Sequence, residues 1–75
     1  MNTNNTFEPL VICEGTEASE NPHKIIFQQR FNQCWVPKKD IRFKETLGFI
    51  GGEKVIRIAV TEEVANILEL EGIMD

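Results

Sequence analysis

The hydrophobic pattern changes its period at Thr61, and this change constrains the fold more than any other feature of the sequence. In residues 53–60, β-branched residues alternate along the chain, as expected for a half-buried strand. After Thr61 the apolar residues follow helical spacing instead. Thr61 is placed to cap this helix, and Glu62 and Glu63 lie in its first turn, where carboxylates are favourable. The sequence therefore predicts a strand followed directly by a C-terminal helix.

The predicted helix ends near the end of the sequence. Gly72 is the expected residue of left-handed conformation after the last turn, and Ile73 is expected to fold back onto Leu68. Leu70 lies at the margin of the apolar stripe, so we expect it to be exposed.

Extended segments are predicted before this unit at residues 7–14, 24–31, 34–36 and 41–44. Residues 14–23 are small, polar and acidic, and residues 45–52 are rich in glycine, so both are predicted to be loops. Asn32 and Gln33 are the predicted turn of a hairpin between the second and third strands.

These elements define an α+β fold with a small antiparallel sheet of four to five strands and one C-terminal helix. A sheet that curls toward a small barrel is the alternative. Residues 1–6 are predicted to be a disordered tail, and residues 7–75 a single small domain. The expected core consists of Val11, Ile25, Phe27, Trp35, Ile41, Ile56, Ile58, Val60, Val64, Ile67 and Leu68.

This core is thin for independent stability, so a homo-oligomer is among the expected assemblies. Leu70 and the apolar pair Phe49 and Ile50 are the expected contacts between copies.

Residue chemistry disfavours an enzyme, and we assign no catalytic, cofactor-binding or metal-binding residue. Cys13, Cys34 and His23 are too few and too widely spaced for a structural zinc site. Gly51 and Gly52 are not followed by the Lys-Ser/Thr pair of a phosphate-binding loop. With no secretory signal at the start and no apolar run long enough for a bilayer, we expect a cytoplasmic protein with reduced thiols and no membrane partner.

The formal net charge is −4, but the charges are unevenly distributed. Residues 1–23 carry four carboxylates and no base. Residues 24–57 carry all eight Lys and Arg residues against three carboxylates, and residues 58–75 carry only carboxylates. An acidic–basic–acidic order is typical either of binding surfaces or of a folded domain that neutralises its own charges.

The segment Trp35–Ile41 has the sequence Trp-Val-Pro-Lys-Lys-Asp-Ile. It resembles a W-[ILV]-P-K-S-x-[IL] motif in small phage- and prophage-encoded proteins, with Lys39 in place of the serine. The similarity covers roughly residues 21–73. The resemblance implies an origin in a mobile genetic element, a context in which most such proteins have no assigned function.

Two binding functions follow from these observations. The first, which the sequence favours, is a non-enzymatic protein-binding module, with an inhibitor of a host defence complex (anti-CRISPR-like) as the specific hypothesis. Its partner is a host protein or nucleoprotein complex. Docking would use the acidic residues Glu14, Glu17, Glu20, Glu62, Glu63 and Glu69, since complementary charge speeds association and selects partners.

The alternative is a single-stranded nucleic-acid-binding protein that uses residues 24–44. Basic residues there are interleaved with aromatic residues, which can stack on unpaired bases. Two observations disfavour it: the aromatic residues are also core candidates, and the sequence pI is 4.9. The predicted nucleic-acid-binding residues are Arg30, Lys38, Lys39, Arg42 and Lys44.

Overall fold

The structure is a computed structural model that describes residues 9–30 and 32–73. Its elements are β1 (Leu10–Glu20), β2 (Lys24–Gln29), β3 (Asn32–Pro37), a 3₁₀ turn (Lys38–Asp40), β4 (Phe43–Ile50), β5 (Glu53–Thr61) and α1 (Glu62–Leu68). The five strands form one antiparallel sheet in the order β3-β2-β1-β5-β4. The predicted fold class is therefore confirmed. The tail predicted at residues 1–6 lies outside the described residues, as does Phe31.

One face of the sheet, which we call the inner face, carries the hydrophobic core. Side chains from β1, β2, β3 and β5 meet there, and Ala65 and Leu70 pack over them from the C-terminal region. The buried core consists of Cys13, Ile25, Phe27, Val36, Ile56, Ile58, Val60, Ala65 and Leu70. Because alternate residues of a strand point to opposite faces, Trp35, Glu14 and Arg57 lie on the other side, the outer face.

The sheet is strongly curled but open. β3 and β4 are its two edges, which in a flat sheet would lie about 19 Å apart. The linker between them has five residues, 38–42, so the six Cα–Cα steps from Pro37 to Phe43 reach at most about 22 Å even when fully extended. Three of those residues form the 3₁₀ turn, and Ile41 packs against the core, so the linker crosses the inner face. Among the described strands the sheet is not closed into a barrel, because β3 pairs with β2 and β4 pairs with β5 at its two edges. The curl of the alternative is present, but the barrel is not formed.

β1 extends further than predicted, because residues 14–20 are strand and not loop. Residues 14–17 pair with β5 and residues 16–20 pair with β2, so Thr16 and Glu17 are paired on both sides. A bulge between Glu17 and Ser19 adjusts the register. Backbone pairing on both sides overrides the polar composition that favoured a loop.

β4 replaces most of the predicted loop at residues 45–52. Only Gly51 and Gly52 form the turn to β5, with φ values of 60° and 86°. Positive φ at both positions is the geometry of tight hairpin turns, and glycine adopts it without strain. A bulge between Thr46 and Gly48 interrupts the alternation of side chains, so the sequence shows no period of two there.

The hairpin of β2 and β3 turns earlier than predicted. Gln29 pairs directly with Asn32, so Asn32 and Gln33 belong to β3. The Asn32 side chain instead donates hydrogen bonds to the carbonyl oxygens of Leu68 and Glu69, at 2.9 and 3.1 Å. Gln29 also binds the C-terminal segment, since its side chain donates to the Glu71 carbonyl and accepts from the Glu71 amide.

The capping of α1 is partly as predicted. Thr61 Oγ1 accepts a hydrogen bond from the Val64 amide, which confirms the N-cap. The C-terminus differs: Glu69, not Gly72, has the left-handed conformation, with φ 59°. The amide of Leu70 then donates to the Ala65 carbonyl, which places the Leu70 side chain in the core and not in solvent. Leu70 is therefore not available as a contact between copies.

The predicted core is correct at Ile25, Phe27, Ile56, Ile58 and Val60, which are buried. Val11, Ile41, Val64 and Leu68 are partly buried against it. Two predictions are wrong: Trp35 is 44% exposed and Ile67 is 70% exposed. Trp35 lies opposite Ile26 and so points to the outer face. Ile67 lies on the solvent side of α1, which has only two turns and buries Ala65.

Candidate functional site

The carboxylates of β1 form ion pairs within the molecule. Glu14 Oε2 lies 2.6 Å from Nη2 of Arg57, and Glu20 Oε2 lies 2.5 Å from Nζ of Lys38. Glu17 has the most buried of these side chains, only 5% exposed. These three members of the predicted acidic surface are therefore partly neutralised by the basic residues of the same chain.

Glu17 links β1 to β4 and β5 across the inner face. Its Oε1 lies 2.6 Å from Nζ of Lys44 without hydrogen-bond alignment, so attraction between the charges holds the pair. Its Oε2 lies 3.6 Å from Nζ of Lys54. Both lysine side chains remain about one-third exposed, so Glu17 is a buried carboxylate whose partners reach solvent.

Glu20 lies among several cations. Its hydrogen bond to Lys38, together with the charges of Lys44 and Lys38, lowers the pKa of the Glu20 carboxyl below its usual value. The Glu20 carboxylate is exposed to solvent, so another anion can replace it as the partner of Lys38.

The predicted acidic residues do not form one surface. Glu14 lies on the outer face, whereas Glu17 and Glu20 lie on the inner face with their cation partners. The other members of the set, Glu62, Glu63 and Glu69, are exposed around α1. Glu14 and Glu20 are exposed but held in ion pairs, so the three helix carboxylates fit the prediction of an acidic patch best.

The predicted basic residues, by contrast, converge. One shallow pocket of about 400 Å³ is lined by Pro22, His23, Lys24, Pro37, Lys38 and Lys39. A second, of about 320 Å³, is lined by Glu20, Lys38, Ile41, Arg42, Phe43 and Lys44. The two pockets share Lys38 and therefore adjoin. We call the combined surface the basic groove; its cationic residues are His23, Lys24, Lys38, Lys39, Arg42 and Lys44.

The linker between β3 and β4 builds this groove. Pro37 ends the β3 ladder, and the Lys38 amide donates to the carbonyl of His23, which holds the linker against the loop before β2. The 3₁₀ turn then presents Lys38 and Lys39 side by side. Arg42 Nη1 donates to the Lys39 carbonyl at 3.2 Å, which fixes the direction of its guanidinium. Four of the five predicted nucleic-acid-binding residues thus line one surface.

Arg30 is the exception. It follows β2 at the opposite end of that strand, and it lines a different depression together with Glu14, Gln28 and Glu53. The structure therefore separates Arg30 from the basic groove.

Exposed aromatic side chains lie at the groove. Phe43 lines its second pocket and is half exposed. The ammonium of Lys24, which lines the first pocket, lies 4.6 Å from the centroid of the Trp35 ring. Phe27, another aromatic candidate, is fully buried. Trp35 and Phe43 are therefore the described aromatic residues that can reach a ligand in the groove.

The sequence pattern missed two contributors to this surface, Lys24 and His23. Lys24 lies in the basic segment 24–44 of the nucleic-acid-binding alternative but was not among its predicted binding residues, and His23 was assigned as a loop residue. The sequence feature that could have identified both residues is the pair Pro22 and Pro37. Prolines end strands, and Lys24 lies directly opposite Pro37 in the register.

The thiols have the properties of packing residues. Both are free; Cys13 is buried, and Cys34 packs partly buried against the core. Burial, and secondarily Cys34, raises the pKa of the Cys13 thiol, and burial raises that of Cys34. A nucleophilic cysteine needs the opposite shift. In residues 9–30 and 32–73, no group of three or more His, Cys, Asp or Glu residues is arranged to hold a metal ion.

The described part of the chain contains no helix that is long and apolar enough to cross a membrane. Comparisons of the chain with known protein families, with curated proteins and with solved structures each found no match. The resemblance to phage-encoded proteins, and the host-defence inhibitor that it suggested, stay predictions.

Proposed function

We propose that this protein is a non-enzymatic, single-stranded nucleic-acid-binding protein that uses the basic groove. The observation that carries this proposal is the convergence of Lys38, Lys39, Arg42 and Lys44 on one surface, together with exposed Phe43. Phosphates bind to such cations by releasing counterions, and exposed aromatic rings accept unpaired bases.

The low pI of the chain argues less strongly against nucleic-acid binding once the positions of the carboxylates are known. The carboxylates of α1 are not among the residues that line the groove. Glu17 pairs with Lys44 and Lys54, so Lys44 offers less charge to a ligand than Lys39. Among the lining residues the acidic group is Glu20, which already neutralises Lys38. A phosphate that binds Lys38 replaces one anionic partner by another.

The cytoplasm is the compartment that we propose for this function. Two free thiols are kept reduced there, and single-stranded RNA and DNA intermediates are accessible.

The proposal is tested by fluorescence anisotropy with a labelled thymidine oligonucleotide at increasing salt. We expect binding at low salt, with affinity falling steeply between about 50 and 200 mM salt. The double variant Lys38→Gln/Lys39→Gln should bind about tenfold more weakly and show a shallower salt dependence.

Arg30→Gln is the matched control, because it removes one cation outside the basic groove. It should leave the affinity within about twofold of the wild type. The proposal is wrong if no oligonucleotide binds at low salt. It is also wrong if Arg30→Gln weakens binding as much as the double variant.

Protein binding is the second candidate function, and β4 is the observation that favours it. This edge strand exposes Leu47, Phe49 and Ile50, the last two at 67% and 73%. Exposed edge strands accept a strand from another chain, with apolar side chains supplying specificity. A host protein captured by the wild type but not by Phe49→Ser would support protein binding at β4. Equal capture by both would exclude β4 as the docking edge.

A further inference from the structure

We propose that Lys24 and Trp35 form a nucleotide subsite at the edge of the basic groove. The base of one nucleotide stacks on the indole ring, and the Lys24 ammonium moves from the ring to a phosphate of the same strand. This inference rests on the proposed function. It adds the place where a base binds and the residue that exchanges its partner.

The register of β2 and β3 places the two residues together. Lys24 lies directly opposite Pro37, and Trp35 precedes Pro37 by two residues, so all three side chains point to the outer face. The Lys24 Nζ lies 4.6 Å from the centroid of the Trp35 ring, within range of a cation–π contact. Trp35 is therefore an exposed aromatic ring held beside the groove by the strand pairing, with a cation already on it.

The adjoining pocket has the chemistry of a nucleotide site. Pro22 and Pro37 provide apolar walls, and Lys24, Lys38 and Lys39 provide the cations. Its volume of about 400 Å³ lies within the usual range for small-ligand sites. Flat apolar surface next to several ammonium groups suits a flat base joined to phosphates better than it suits an acidic peptide, which offers carboxylates without a ring.

The exchange at Lys24 follows from the relative strengths of the two ring contacts. At a solvent-exposed site a cation–π contact is weak, whereas stacking of a base on an aromatic ring is stronger. A base can therefore displace the ammonium from the ring. The four-carbon stem of lysine then lets the displaced ammonium reach a phosphate while its Cα stays in β2.

Intrinsic fluorescence tests this inference directly, because Trp35 is the only tryptophan in the sequence. The protein is titrated with an oligothymidylate and, in parallel, with inorganic polyphosphate, which has the phosphates without the bases. We expect the oligothymidylate to quench Trp35 fluorescence in step with binding measured by anisotropy. Polyphosphate is expected to compete for the groove without comparable quenching.

Variants separate the two roles. Trp35→Leu should weaken oligothymidylate binding about tenfold, and Trp35→Phe should retain most of the affinity, because an aromatic ring preserves stacking. Lys24→Met should retain the quenching, weaken binding, and lower the slope of log affinity against log salt by about 0.7, the value for one lost phosphate contact to a single strand. Phe49→Leu, on exposed β4, is the matched aromatic control and should bind like the wild type.

The outcomes distinguish this inference from the proposed function. If the oligothymidylate binds without quenching Trp35 and Trp35→Leu binds normally, the subsite is wrong while nucleic-acid binding stands. Equal quenching by polyphosphate would also overturn the subsite, because it would show that no base is needed. If no oligothymidylate binds at low salt, the proposed function itself fails. The wild-type fluorescence titration decides between these results even if Trp35→Leu does not fold.

Discussion

β1 and β4 are both strands in segments whose composition suggested loops, yet they contribute to the molecule in opposite ways. β1 lies at the centre of the sheet, paired with β2 and β5, and it carries buried Cys13. β4 lies at an edge and, among the described strands, pairs with β5 alone; each of its residues is exposed or half-buried. β1 teaches that a segment of polar composition can be a central strand when backbone pairing on two sides stabilises it. β4 teaches that apolar side chains in a strand are not necessarily buried.

The largest expected effect is at Gly15 of β1. A Cβ added there would lie 2.4 Å from the Gln28 carbonyl oxygen and 3.0 Å from the Phe27 ring. Because the first of these atoms is backbone, the contact cannot be relieved by a side-chain rotation. We expect Gly15→Ala to lower the free energy of unfolding by about 3 kcal/mol, measured by urea denaturation.

Ser19→Ala, in the same strand but at an exposed position, is the control for Gly15→Ala. It should change the free energy of unfolding by less than about 0.5 kcal/mol. A Gly15→Ala protein as stable as this control would show that the close packing of β1 against β2 is not required.

A smaller effect is expected at Glu17, where β1 contacts β4 through charge. Glu17→Gln removes the buried anion and leaves Lys44 and Lys54, which are exposed enough to be hydrated. Removing one partner of a fully buried pair is costly, but hydration of these lysines should limit the loss to about 2 kcal/mol. Thermal unfolding at neutral pH measures it.

Glu45→Gln, on exposed β4, is the matched control for Glu17→Gln. Its loss should stay below about 0.5 kcal/mol, because exposed charges interact weakly through water. Equal losses for the two variants would contradict the distinction between a buried charge of β1 and an exposed charge of β4.

The smallest effect is expected at Phe49 of β4. Its side chain is largely exposed, so Phe49→Ser removes little buried apolar surface. We expect the free energy of unfolding to change by less than about 0.5 kcal/mol. If sedimentation shows that the wild type is an oligomer and Phe49→Ser a monomer, the predicted contact between copies lies at this edge. If the wild type is a monomer and Phe49→Ser lowers its free energy of unfolding by several kcal/mol, Phe49 is instead packed in the domain.

The sequence was sufficient for the fold class and for the junction at Thr61, because a change from period two to helical spacing is a local signal. It was insufficient for β1 beyond residue 14, since residues 14–17 are strand through pairing with distant β5 and residues 16–20 through pairing with β2. The helix end was also misplaced, because Glu69 adopts the left-handed conformation that glycine usually takes.

The candidate site was only half predictable for a related reason. Lys38, Lys39 and Arg42 are close in sequence, so their proximity in the groove was predictable. The exposure of Trp35 was missed because its size and apolar character favoured the core; both the predicted turn at Asn32 and Gln33 and the observed register place Trp35 on the face opposite Phe27. The pairing of Glu14 with Arg57 depends on β1 meeting β5, which is a long-range contact.

The pairing of β1 with β5 also bears on how the protein is made. Leu10 lies opposite Thr61, so the two strands are separated by more than half of the chain. During synthesis, β1 can pair with β2 soon after both have left the ribosome, but its other side has no partner until β5 emerges. That side of β1 is an exposed template for strands of other nascent chains during this interval. A delay between the emergence of β2 and that of β5 should therefore lower the yield of native protein through association of nascent chains.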